Sequence, residues 1–334
     1  MKRFRPLAFL IGLMLLIGAP ARAQEPLGIA LEGYAYPFPV SFLDVQAGNH
    51  AARLAYMDVA ATSTPNGRAV LLFHGRNFPA SYFEPLIRAL AGAGYRVIAP
   101  DQINFGKSSK FDDVPVSFDT MASNMDALLE KLRLTQVDVI AHSMGNMAGV
   151  RFTRTFPQRV NKLVMYAPVG LEDYRFYVPP VPKERLLKQE SELSAPAYLK
   201  QLYDTYGLTL PPEKVQPFVD IRERMKGSAE WPRWVASFVS SYYAMWGQPV
   251  VHELPLIDKP VLLMAGTRDR TAPGRGFAPP ELREKMGRVA ERAADVAKTM
   301  PRARVELFEG VGHLIHLEAT EQFNANVLKF LGDG

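Results

Sequence analysis

The chain contains no cysteine in 334 residues. That excludes a disulfide framework, a thiolate nucleophile, a cysteine-bound metal and a lipidated cysteine. Histidine is also scarce, at six residues, and the His313/His316 pair has no third ligand at the spacing a metal site needs. Neither a metal nor another cofactor is therefore expected. No basic cluster interleaved with stacking aromatics occurs beyond the first residues, which excludes nucleic acid as an expected partner. A long apolar run is missing too: Leu7 to Ile17 is interrupted by Gly12 and followed by Gly18 and Pro20. It falls short of the ~20 residues of a comfortable membrane span.

What the start does contain is the pattern of an export signal. Lys2, Arg3 and Arg5 precede the apolar stretch, and Ala21-Arg22-Ala23 supplies small residues for cleavage after Ala23. The expectation is an exported protein, periplasmic or secreted, with no stable membrane insertion once residues 1–23 are removed. Four of the 39 Lys and Arg and none of the 34 Asp and Glu lie in that segment, which leaves 35 against 34, a formal +1. The apparent basicity belongs to the signal. With 48% hydrophobic residues, the remainder is large enough to bury a full core as one α/β domain carrying an insertion.

Periodicity supports that class. Val40 to Val45 and Ala51 to Val59 alternate and read as an antiparallel opening pair. Short runs rich in Val, Ile, Leu and Phe follow at Ala69 to Phe73, Arg96 to Ala99, Val137 to Ala141, Lys162 to Tyr166, Val261 to Met264 and Val305 to Phe308, as in strands buried on both faces. Helical patterns separate them: Tyr82 to Ala93, Asp119 to Leu132 with Asp119 as cap, Met144 to Phe156, Glu281 to Met300 and Glu321 to Leu331. The alternation predicts a doubly wound, mostly parallel sheet. One block interrupts it, dense in Tyr, Trp, Pro and Met and helical in composition. The expected division is a first core part over 24–169, a helical cap over 170–255 and a second core part over 256–334.

The chemistry is carried by Ala141-His142-Ser143-Met144-Gly145, where an apolar strand runs through a serine into a helix. Such a sharp turn leaves room only for small neighbours and projects the hydroxyl above the sheet, with the Met144 N–H aimed at the same spot. A base for this serine is offered by His313, in the Gly-rich turn Glu309-Gly310-Val311-Gly312 that follows a strand. His316 reads as a wall or structural residue. The orienting acid is Asp269, just beyond the strand that ends near Gly266, whereas Asp258 lies at the entry end of that strand. Gly75 after Phe73-His74 permits close backbone approach, so that the Arg76 N–H joins that of Met144 as an oxyanion donor. His74 is read as structural. His142, Asn77, Trp231, Trp234 and Trp246 are expected around a substrate pocket.

These segments resemble the α/β-hydrolase superfamily in its capped branch, which holds esterases, C–C bond hydrolases, epoxide hydrolases, dehalogenases and cofactor-free haloperoxidases. The similarity spans residues 38–331 and rests on His74-Gly75, the stretch Asp101 to Ser109, Ala141 to Gly145, Gly266 to Asp269 and Gly312-His313, in the family's order Ser, Asp, His. Two departures stand out. Position 141 is Ala where the family usually has Gly, and the stretch from Thr271 to Pro301 is long. The resemblance implies the capped fold and a Ser143, Asp269, His313 triad. Branches resembling epoxide hydrolases and dehalogenases place Asp at the turn, so Ser143 favours attack on an acyl carbonyl. The expected function is hydrolysis of a carboxylic ester of a small acyl substrate. C–C bond hydrolysis and perhydrolysis use the same residues, and a binding module would be expected to have lost one of them.

Overall fold

The computed structural model describes residues 25–333, so the expected export signal lies outside the described residues. Eight strands form one sheet: β1 (Val40–Ala47), β2 (His50–Val59), β3 (Ala69–Phe73), β4 (Arg96–Pro100), β5 (Val137–His142), β6 (Val160–Tyr166), β7 (Val261–Gly266) and β8 (Ala303–Phe308). Their spatial order is β1-β2-β4-β3-β5-β6-β7-β8. β2 pairs antiparallel with β1 and β4, and all later neighbours are parallel.

The continuous apolar runs are explained by burial on both faces. In β3, Leu71 and Phe73 enter one hydrophobic layer while Val70 and Leu72 enter the other. Alternation of side chains along the strand makes every residue of the run necessary. Helices Phe118–Lys131 and Gly145–Thr155 pack on the first layer, and Glu84–Gly92 and Thr320–Gly332 on the second. Between β6 and β7 the chain inserts helices Lys183–Glu192, Ala195–Tyr206, Pro212–Lys226 and Trp231–Gly247. None of the described helices is long and apolar enough to cross a membrane.

Local boundaries differ from the sequence expectation in three places. Ser117, not Asp119, caps helix Phe118–Lys131, its side chain accepting from the Thr120 N–H, and Asp119 sits in the first turn. A 3-10 turn at Ala80–Phe83 precedes helix Glu84–Gly92. The expected helix Glu281 to Met300 is broken into Pro280–Arg283 and Val289–Ala297. Gly287 breaks it, at φ 69° and so close to Arg270 that a Cβ would lie 2.3 Å from its carbonyl oxygen.

Candidate active site

The parallel strands bring the predicted residues to one edge of the sheet, beyond their carboxyl ends. At the end of β5, Ser143 takes φ 54°, a left-handed conformation that non-glycine residues rarely adopt. The chain then enters helix Gly145–Thr155 through Met144. A Cβ on Gly145 would stand 2.4 Å from the Phe73 carbonyl oxygen, so only hydrogen fits inside the turn. The methyl of Ala141 is accommodated from the opposite side: Gly149 faces it, and a Cβ there would lie 3.1 Å away. Gly75 closes over the serine, its own hypothetical Cβ 3.0 Å from Ser143 Cβ.

His313 and Asp269 form the second half of the site. Nδ1 of the imidazole lies 2.6 Å from Asp269 Oδ2, and both side chains are fully buried. Asp269 Oδ1 accepts the Thr271 N–H at 2.9 Å, an Asx-type turn that fixes the carboxylate. The Thr271 hydroxyl adds a contact to Nδ1 at 3.1 Å. A carboxylate accepts only, so Nδ1 carries a proton, and in the neutral imidazole the lone pair is on Nε2. Nε2 is buried with no hydrogen-bond partner. No hydrogen bond joins it to Ser143 Oγ in this structure, yet the loops of His313 and Ser143 touch, with the rings of His142 and His313 4.9 Å apart.

A polar layer beneath the site fixes these loops relative to one another. Gly75 N–H donates to the Tyr82 hydroxyl at 3.0 Å, and that hydroxyl lies 2.6 Å from His142 Nδ1. His142 Nε2 is 3.0 Å from the His313 carbonyl oxygen, which can only accept. His142 therefore donates through Nε2, and Tyr82 donates to Nδ1. Burial, followed by the neighbouring His313 and His316, holds His142 well below the usual imidazole range, which keeps it neutral. The expectation that His142 lines the pocket is corrected: it is buried next to Ser143 and, through Tyr82, joins the Gly75 loop to the His313 loop. His316 is buried among Tyr82, Tyr166 and Phe323, and desolvation lowers it to about 3. His74 Nε2 accepts the Gln102 N–H, placing it beneath the loop as a structural residue.

The main-chain N–H groups of Arg76 and Met144 have no acceptor among the described residues. Two main-chain hydrogens on the segments that flank Ser143 are thus uncommitted. The Arg76 side chain ties its loop to helix Trp231–Gly247 through Ser241 Oγ at 2.7 Å and the Phe238 carbonyl at 3.2 Å. Asn77 Nδ2 donates to the Tyr206 hydroxyl at 2.5 Å. Tyr206 in turn stacks near His313, ring centroids 4.2 Å apart, and its carbonyl accepts the His313 N–H at 2.8 Å. The inserted helices consequently touch both His313 and the loop of Arg76 and Asn77.

Beside this loop lies a cavity with Arg76, Asn77 and Trp234 in its wall. Trp231 and Trp246, expected there, are elsewhere. Trp231 stacks behind Trp234 with centroids 4.6 Å apart, and Trp246 Nε1 donates to the Val178 carbonyl at 3.0 Å, anchoring the insertion. Sequence reading missed Tyr82, Thr271, Lys110 and Arg222. Thr271 was discoverable, two residues after an Asp in turn context. The others reach the site from distant segments and carry no local signal.

Comparison with known proteins agrees with this geometry. A model of the alpha/beta hydrolase family matches residues 70–326. Among curated proteins, the chain is 27% identical to a 2-hydroxy-6-oxononadienedioate/2-hydroxy-6-oxononatrienedioate hydrolase of Pseudomonas sp., over 87% of this chain and 95% of that protein. It is 26% identical to a putative non-heme chloroperoxidase of Synechocystis sp., over 83% and 96%. Among solved structures, a probable hydrolytic enzyme from Pseudomonas aeruginosa PAO1 superposes with a TM-score of 0.88 at 36% identity, covering 92% of this chain and 99% of that one. With strand order, nucleophile turn and family match in agreement, the chain belongs to the alpha/beta hydrolase family.

Proposed function

We propose that the protein is a serine hydrolase that cleaves a carboxylic ester of a small molecule through an acyl-enzyme on Ser143. The observation that carries this reading is the free Nε2 of His313, held in the basic tautomer by Asp269 beside a serine in a left-handed turn. Ser143 Oγ attacks the ester carbonyl while Nε2 takes its proton. The developing oxyanion meets the N–H groups of Arg76 and Met144, each such donor contributing ~3 kcal/mol to the transition state. The imidazolium, supported by Asp269, then returns the proton to the departing alkoxide. Water activated by His313 hydrolyses the acyl-enzyme and regenerates the serine.

A second reading, cleavage of a C–C bond beside a carbonyl, is favoured by the similarity to the oxononadienedioate hydrolase. Both need the same three side chains. A fluorophosphonate probe tests the common core: wild type is expected to label at Ser143 and Ser143→Ala to remain unlabelled. Folded wild type that does not label would move the reading to a binding module. A panel of p-nitrophenyl esters of increasing chain length, run beside a diketone ring-fission substrate, then separates ester from C–C cleavage. The export proposal rests on the sequence of residues 1–23 and is checked by whether the purified periplasmic or secreted protein begins at Gln24.

A further inference from the structure

Three cations line the cavity beside the oxyanion loop, and no acidic side chain does. They converge from separate segments: Arg76 follows β3, Lys110 follows β4, and Arg222 lies on helix Pro212–Lys226. Around them the wall is mostly apolar, with Phe78, Trp234 and Phe238 contributing aromatic faces. Arg222 is paired with Glu190, Nη1 to Oε1 at 2.5 Å, while its Nε is buried without a partner. Arg76 reaches only the neutral Ser241 and Phe238 oxygens and stacks on the Phe238 ring at 3.6 Å.

Lys110 is the most exceptional of the three. It is 7% exposed, and its ammonium reaches only the carbonyls of Gly106 at 2.5 Å and Ser108 at 3.0 Å. An ammonium has three N–H donors, so one is left over. Among the described residues no carboxylate comes within 4.0 Å of Lys110 or of the Arg76 guanidinium. Asp101 faces Lys110 at longer range, but its oxygens are occupied by the Tyr36 hydroxyl and by the N–H groups of Ala80 and Lys107. Desolvation lowers Lys110 to about 8; Asp101, Glu32 and Glu230 oppose that shift, and Lys107 adds to it.

Lys110 and Arg76 are removed from water with no carboxylate in contact, and Arg222 keeps an unpartnered Nε beside its Glu190 pair; an anion from outside would satisfy all three. We propose that this cavity is an anion subsite: the substrate carries, on an apolar or aromatic body, a carboxylate seated among Lys110, Arg76 and Arg222. This inference rests on the serine-hydrolase reading above and narrows its substrate class to half-esters or acyl compounds of dicarboxylic acids. Arg76 stands in the cavity wall and its N–H is the proposed oxyanion donor, so one residue would join the two ends of such a substrate.

The test compares kcat/KM for mono-p-nitrophenyl adipate and suberate with p-nitrophenyl hexanoate and octanoate, in wild type, Lys110→Met and Lys110→Arg. Binding of free adipate and suberate is measured in parallel by titration calorimetry. Wild type is expected to prefer the charged esters; Lys110→Met should lower that preference by about tenfold, and Lys110→Arg should retain most of it. Free diacid should bind wild type more tightly than Lys110→Met. A wild type that turns over neutral esters as well as charged ones, and binds no diacid, overturns the subsite while leaving the hydrolase reading intact. Lys110-dependent diacid binding without turnover of any ester does the reverse. If Lys110→Met does not fold, the wild-type comparison of charged with neutral esters and the diacid titration decide alone.

Discussion

Both ends of the sheet bury charged and polar side chains, and they use them differently. At the amino-terminal end, Arg68 pairs with Asp138 at 2.7 Å and donates to the Leu331 carbonyl. Lys162 directs its donors to the carbonyls of Phe330, Leu331 and Asp333, fastening the last helix to the sheet. Every donor of that ammonium has an acceptor in the chain. At the carboxyl-terminal end, Asp269, Thr271, Tyr82 and His142 fix the loops around an imidazole whose Nε2, like the N–H groups of Arg76 and Met144, has no partner among the described residues. The first arrangement spends its cationic donors on holding backbone together, although Asp138 Oδ1 is left without a partner among the described residues. The second holds a few groups rigidly so that others stay available for a substrate.

The comparison can be broken most severely at the carboxyl-terminal end. Ser143→Ala and His313→Ala should each lower kcat by ~10⁴-fold or more with the far-ultraviolet circular dichroism spectrum unchanged. Retained turnover in either would remove the proposed chemistry. The two aspartates then form a matched pair. Asp269→Asn should cost roughly ten- to a hundredfold less in kcat than loss of the serine, with little change in unfolding free energy. Asp138→Asn should leave kcat near wild type and lower stability by about 1–3 kcal/mol, since Arg68 loses its buried partner while keeping some solvent. Urea titration and steady-state rates on the same two variants decide whether the ends differ as described.

Smaller effects sharpen the picture of the layer below the site. Tyr82→Phe removes the hydroxyl shared by Gly75 and His142, and kcat should fall by about tenfold with KM changed less, because the oxyanion loop and the base loop lose their common support. An equal rise in KM with kcat unaltered would assign Tyr82 to substrate binding instead. Acid should destabilise the fold through the neutral histidines. His316, lowered from 6.5 to about 3, binds its proton in the unfolded chain before the folded one. Its contribution is therefore complete above pH 6.5 and is lost as pH falls toward 3, by about 2 kcal/mol between pH 6.5 and 5. His142 and His74, also lowered by burial, act in the same direction. Urea midpoints at pH 7 and 5 measure the sum, and His316→Phe should reduce the slope.

Much of the frame was legible because its causes are local. β3 and β5 had to be buried on both faces since no polar residue breaks their runs except Asp138, and Asp138 is one of the buried charges at the amino-terminal end. The serine turn was readable from the small neighbours that a left-handed Ser143 requires. The split of Glu281 to Met300 was not, because its apolar spacing is helical throughout and the break is imposed by Arg270 from another segment. Likewise, the space that admits the methyl of Ala141 is provided by Gly149, eight residues on in the following helix. Trp231 and Trp246 were credited to the pocket on residue type, which specifies apolar bulk but not the direction in which a helix points it.

By itself, the sequence determined the alternation of strand and helix, the serine at its turn, and the order in which acid and base follow, because periodicity and turn chemistry act over a few residues. Only the tertiary structure decided which nitrogen of His313 is free, that His142 supports rather than binds, and that Arg76, Lys110 and Arg222 meet in one cavity. Those are properties of pairing and burial between segments far apart in the chain, and burial is what turns a side chain's type into a definite charge, tautomer and direction.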